Sequence, residues 1–481
     1  MSTVGLIAAD EWRLMRRNRV AMLGLVMILL LSVIAAVTAI AQRDASDQIR
    51  ARFQAQADKA FDGAPARHPH RMVHYGHFVF RPLPPLAAFD PGIDAFTGNT
   101  IFLEGHRQNS ANFGDVRQSS LLVRFGQLTP SFVLQTIAPL VLIFIGFGVV
   151  ARERERRTLR QLFAHGAGPR DVFVGKSMAL ALIAAIMLLP AALALGWLVI
   201  AEAAPAGAAL ALFGGFAVYL AIWVLIVAIA STLASSARIA LLSLIGIWAV
   251  VVVLAPRLAP DIALGSTPLK TRLETDIAIA QDLRRLGDSH NPDDPFFAAF
   301  KARTLRQFGV TRIEDLPVNF RGLVAMEGEA LTSKLFDDYA NRQFEAQRTQ
   351  SGLVDTFGIV SPAIAVRRLS QSAAGTDLEG HRRFLAQAEA YRFAIVQRLN
   401  KLQATAITYA DDGNRNKDPE AASRVRIDAD NWQTVPDFAY RAATEREKLS
   451  AALPGALMLL GWLIALLVAA RFAIARLRAT V

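Results

Sequence analysis

The sequence predicts an all-α polytopic membrane protein: six transmembrane helices, with a mostly helical extracytoplasmic domain built from two inserts. Three observations predict it. Six stretches are apolar and uncharged for about the thickness of a bilayer. Nearly all the excess positive charge falls on one side of those stretches. Two long segments on the other side have ordinary soluble composition and amphipathic periodicity.

The hydrocarbon core of a bilayer needs about 20 mostly apolar helical residues. In this chain of 481 residues, 53% of them hydrophobic, the runs are 20–41, 130–150, 177–200, 209–229, 239–256 and 453–470. Together they exclude a purely soluble multidomain reading. Pro139 and Pro190 lie inside or near the end of their spans. Proline is tolerated there when neighbours satisfy the freed carbonyls. Ala39-Ile40-Ala41 before Gln42 resembles a signal peptidase site. The apolar run before it is longer than a usual signal h-region, so the expectation is a retained span.

Short loops and span flanks carry the positive-inside signal. With both termini cytoplasmic, the inner segments are 1–19, 151–176, a turn near 231–238, and 471–481. They hold 15 Lys or Arg against 5 acids; the rest of the chain holds 37 against 36. The formal charge of +11 is therefore topological and faces lipid headgroups. It is not a nucleic-acid footprint, and no nucleic-acid partner is expected. The expected location is a bacterial inner (plasma) membrane, multi-pass. With no cysteine, disulfides and thiolate metal sites are excluded.

On the cytoplasmic side, residues 1–19 read as an amphipathic lead-in lying at the interface. Val4, Ile7, Glu11 and Leu14 follow helical spacing in part. The loop 151–176 reads ARERERRTLRQLFAHGAGPRDVFVGK: a charged helix, a glycine break, and a second helix opened by Pro169. Helix–break–helix between two spans suits docking of a soluble partner; the alternative is a basic flank that only anchors the spans. VGKS at 174–177 lacks the glycine that a phosphate loop needs five residues before Gly175, where Arg170 stands. No other nucleotide motif is present, so any ATP hydrolysis belongs to a partner. No catalytic constellation or cofactor is indicated, and no enzyme activity is expected.

The first insert, 42–129, starts as a helix continuing from the membrane and passes into turns set by Pro82, Pro84, Pro85 and Asp90-Pro91-Gly92. Five of the eight histidines lie in it. His70, His74 and His77 have i, i+4, i+7 spacing and would share one face of a helix. They are weak metal candidates, because Pro69 and Gly76 oppose a regular helix; the alternative is polar packing. The second insert, 257–452, holds several amphipathic helices. In one, Phe384, Ala388, Tyr391, Ile395, Leu399 and Leu402 form an apolar stripe. Trp432, Pro436, Phe438 and Tyr440 precede the last span, as an interfacial belt would. Both inserts leave and re-enter the same face, which predicts one domain assembled from both.

Three passages carry a resemblance. They are the cytoplasmic loop above, with its E-R-x-x-x-T-L pattern and later G-K; HYGHFVFRPLPPLAAFDPGIDAFTG with LEGHRQN; and SPAIAVRRLSQSAAGTDLEGHRRF. With them the chain resembles the permease subunits of ABC-2-type exporters, in the branch with large extracytoplasmic inserts distantly related to copper-enzyme maturation permeases. The resemblance implies pairing with a second permease copy or a similar permease, and binding of separate ATP-binding subunits. It places the ATPase contact on Glu153, Arg154, Arg157, Thr158, Leu159, Gly166 and Lys176. One departure is Arg157, where the family often has glycine.

The function expected from this is ATP-driven export of an unidentified substrate. An alternative is a mechanical or assembly role on a periplasmic partner, consistent with spans that carry no mid-membrane charge. A third is a sensor or binding scaffold without an ATPase.

Overall fold

The computed structural model describes residues 2–109, 128–287, 291, 294–432 and 435–478. Part of the first insert, 110–127, and the last three residues of the tail lie outside them.

The chain opens with helix α1 (Thr3–Arg17), capped by the Ser2 hydroxyl accepting from the Gly5 N–H. Ile7, Glu11 and Met15 are its buried face, four residues apart as one side of a helix requires. Asn18 caps α2 (Arg19–Asp62), whose 44 residues cross the membrane and run on into the first insert. Next come α3 (Pro69–Val73) and the antiparallel strands β1 (His77–Phe80) and β2 (Thr100–Leu103), paired His77 to Leu103.

The second span, α4 (Pro130–Glu155), is π-helical over Val133–Ile137. The cause is Pro139, which has no N–H to donate and crowds the carbonyl four residues back. That carbonyl, on Gln135, accepts from the Tyr219 hydroxyl at 2.7 Å, and its neighbour on Thr136 accepts from Trp248 Nε1 at 3.1 Å. A short helix α5 (Thr158–Ala164) leads to the spans α6 (Pro169–Ala201), α7 (Ala206–Leu233) and α8 (Ala237–Ser266). Helix α8 repeats the device, with a π turn over Ala249–Leu254 just before Pro256.

The second insert contains α9 (Arg272–Leu286), α10 (Pro295–Phe308), α11 (Phe320–Thr356), α12 (Pro362–Ala374), α13 (Leu378–Ala406), α14 (Tyr409–Asn414) and α15 (Pro419–Arg424). The last span is α16 (Glu445–Leu477). Among the described residues six helices are thus long and apolar enough to cross a membrane, and the remainder is mostly helical.

The two inserts share their cores. Phe384 and Ala388 of α13 pack on Val79, Ile101 and Leu103 of the hairpin. Ile395, Val396 and Leu399 pack on Phe61, Met72, Val73 and Trp432. The stripe read from the sequence is the face that α13 buries. The Asp90-Pro91-Gly92 turn docks on the α12–α13 junction: Thr376 Oγ1 donates to the Asp90 carbonyl at 3.0 Å, and the Ile93 N–H donates to the Thr376 carbonyl at 3.0 Å. Gly92 has φ +51°, and a Cβ there would lie 2.3 Å from that Thr376 carbonyl oxygen.

Helix α12 is not confined to the domain that the two inserts form. Its Ala363, Ala365, Val366 and Leu369 belong to the same core as the spans. Gly455 of α16 lets the backbone of Ala365 and Leu369 approach, and Gly215 of α7 faces the Leu369 side chain. The polar groups of this re-entrant segment are matched. Trp462 Nε1 donates to the Gly358 carbonyl at 3.0 Å, and Gln135 Nε2 to the Ala363 carbonyl at 3.2 Å. Ser361 Oγ donates at 2.6 Å to the carbonyl of Val251, inside the α8 π turn. Irregular backbone among spans requires such partners, because lipid offers none.

Candidate functional site

The site forms where α1, the C-terminal end of α4, α5 and the start of α6 meet. Gly175 opens it. A Cβ at that position would lie within 2.9 Å of the Val4 carbonyl oxygen and of Ile7, so only glycine lets α1 lie against α6. The close approach places Lys176 beside Glu11. Lys176 Nζ bonds Glu11 Oε2 at 2.5 Å and Glu153 Oε1 at 2.7 Å. Lys176 is only 3% exposed. It does not snorkel to headgroups; it ties three elements together. Removing one member of a buried ion group leaves an uncompensated charge, at about 3–5 kcal/mol.

The other ATPase-contact residues named from the resemblance divide. Thr158 Oγ1 donates to Glu153 Oε2 and fixes the carboxylate from the far side. Arg154 NH2 donates to the Thr232 carbonyl at 2.7 Å and NH1 to that of Ala234, closing the free C-terminal carbonyls of α7. Leu159 is buried in the span core. Arg157 and Gly166 stand exposed and outside the triad, both with positive φ, 61° and 87°. Glu11 completes the triad, and the resemblance did not point to it. Its signal was its spacing from Ile7, which puts a carboxylate on the apolar face of α1.

Beside the triad lies an open cleft of about 820 Å³, lined among others by Leu6, Asp10, Leu14, Arg152, Gln161 and His165. Leu6 and Leu14 are 55% and 48% exposed. The cleft offers apolar anchors, both signs of charge, and a floor directly bonded to a span.

The histidine trio needs a correction. His70 and His74 do come together, but His77 leaves them. Gly76, at φ +78°, ends the helical turn, and His77 begins β1, its ring against Phe61 and its Nε2 3.1 Å from Asp58 Oδ1. The residue that joins His70 and His74 is His106, from the turn after β2; their ligand atoms lie within 4.8 Å of one another.

The six long apolar helices define a polytopic membrane protein, and its resemblances are permease-like. Two family models match it. The N-terminal TM domain of oligopeptide transport permease C matches residues 8–56, which cover most of α1 and of α2. A domain of unknown function, DUF3526, matches residues 272–441 of the second insert. The chain is similar to each over that part. No curated protein matches it at a significant level.

Proposed function

We propose that this chain is the permease subunit of an ABC-2-type transporter, and that a separate ATP-binding subunit docks in the cleft beside the triad. The observation that carries this reading is the Lys176 contact to Glu11 and Glu153. A push on α1 or on 151–176 passes into α6 through a buried ion group. The match of 8–56 to a transport permease domain supports it. ATP binding closes the partner subunits, and the spans move as packed bodies. Glu153 and Thr158 hold the lever, Arg154 braces it on α7, and Arg157 and Gly166 face the partner. Both termini are cytoplasmic in this reading, a second permease pairs with the chain, and the cargo is exported. The chain itself catalyses nothing.

A mechanical reading is favoured by a different observation. The re-entrant α12 joins the span core directly to the outer domain. Motion of the spans is thereby delivered to that domain, where a periplasmic partner could be worked on with nothing crossing the bilayer.

Charge reversal at Glu153 and Arg157, E153K with R157E, tests the docking role. Partner-stimulated ATP hydrolysis should fall by about fivefold or more, with the spans still folded by circular dichroism. Unchanged stimulation removes these residues from coupling. Failure to retain any ATP-binding subunit from native membranes, across several mild detergents, removes the transporter reading itself.

A further inference from the structure

The outer domain gathers three imidazoles that the coupling mechanism does not use. His70 and His74 sit one turn apart at α3, and His106 comes from the turn that follows β2. Ring centroids are 5.0 Å apart for His70 and His74, 5.5 Å for His70 and His106, and 5.2 Å for His74 and His106.

The surroundings hold this arrangement in place. The Gly105 N–H donates to the Val73 carbonyl at 3.1 Å, and a Cβ on Gly105 would strike Val73 at 2.1 Å. The end of the hairpin is therefore seated on α3. His106 follows with φ +62°, a backbone conformation costly outside glycine. Its Nδ1 lies 3.2 Å from Glu329 Oε2, and its N–H donates to the same oxygen at 3.2 Å. Glu329 is fully buried on α11 and bonded by Arg392 NH1 at 2.6 Å. A carboxylate behind one ring nitrogen is the arrangement that orients metal-binding histidines and leaves the other nitrogen to the ion. His70 Nδ1 is buried and makes no hydrogen bond. His74 is exposed, so the group opens to solvent on one side.

We propose that His70, His74 and His106 form a solvent-open site for a borderline divalent transition cation such as Zn2+. Imidazole suits zinc, copper and nickel, while magnesium and calcium prefer oxygen. Three protein ligands leave a fourth position for water. Bond lengths of about 2.0–2.1 Å for Zn–N require the nitrogens to draw in, and rotation of the exposed His74 side chain brings it towards the other two. Glu329 belongs to the second insert and His106 to the first, so an occupied site braces one insert against the other.

The test uses the full chain in detergent, carried on a tag without histidine, stripped with a chelator and titrated with Zn2+ against a chromophoric competitor. Co2+ serves as the spectroscopic probe. One stoichiometric site is expected, with a tetrahedral-type cobalt spectrum. H74A and H106A should each abolish it. H381A and H165A, away from the cluster, should leave it intact. E329Q should weaken Zn2+ by about 10–100-fold. H74A removes an exposed side chain, so its fold, checked by circular dichroism, stays comparable to the parent. Binding by the parent no tighter than by H74A and H106A overturns the proposal. So does a stoichiometric site that survives both substitutions.

Discussion

His381 lies in α13, half-buried beside the Arg81 guanidinium. Burial first, and that neighbouring charge second, push its pKa down from 6.5 to about 4. The imidazole is neutral in the folded chain, and its Nδ1 is buried without a hydrogen bond. An unfolded chain takes up the proton near pH 6.5. Between pH 6.5 and 4 the unfolded state thus binds more protons, and stability falls as pH falls. The contribution is whole above pH 6.5 and shrinks by about 2 kcal/mol by pH 5. Denaturant unfolding at pH 7 and pH 5 should show a loss in the parent that is smaller in H381Q by about that amount. Equal losses in both would remove His381 from the acid response. Arg157 shows what single residues conceal. The sequence marked it as an arginine where the permeases it resembles often carry glycine. The structure places Arg157 itself in a left-handed turn between α4 and α5, a conformation that favours glycine. Glu11 was legible only as a misplaced carboxylate on an apolar face, because its partner Lys176 lies far along the chain.

Among the elements, the spans were legible because a run of uncharged residues has few other places to go. The α13 stripe was legible from its three- and four-residue spacing. Helix α12 was not. It has 13 residues and carries Arg367 and Arg368, too short and too charged to read as membrane-embedded. Its place among the spans depends on residues elsewhere: Gly215, Gly455, Gln135 and Trp462. Gly455 gives the test. A Cβ there would lie 2.7 Å from the Ala365 carbonyl oxygen and 2.9 Å from the Leu369 nitrogen. Both are backbone atoms, so the whole of α12 has to shift. A Cβ on Gly461, further along the same helix, would meet nothing within 4 Å. G455A should destabilise the detergent-solubilised chain by about 1–3 kcal/mol. G461A should be neutral or stabilising by up to about 1 kcal/mol. Similar melting for the two variants would mean that α12 does not pack against α16. The histidine cluster divides in the same way. The i, i+4 pair was visible in sequence, while His106 enters only through strand pairing.

At the scale of the whole molecule, sidedness decides which partners each site can meet. Both inserts close on each other through α13 and the hairpin, and the triad with its cleft lies at the opposite ends of the spans. The charge count sets 15 basic residues against 5 acidic ones on the triad side, with near balance elsewhere. By insertion bias this count predicts the triad in the cytoplasm and the histidine cluster outside. The chain has no cysteine, so single cysteines report position without background. His165, at the exposed end of α5, and Ser423, exposed on α15, are suitable sites. In intact cells, a membrane-impermeant maleimide should label S423C and spare H165C. After the inner membrane is opened, both should react. Labelling of H165C in intact cells would invert the topology. The cleft could then no longer meet a cytoplasmic ATPase, and the cation site would face the cytosol. The same labelling, repeated with the E153K and R157E chain, separates a loss of coupling from a loss of correct insertion: an uncoupled but correctly inserted chain keeps the parental pattern.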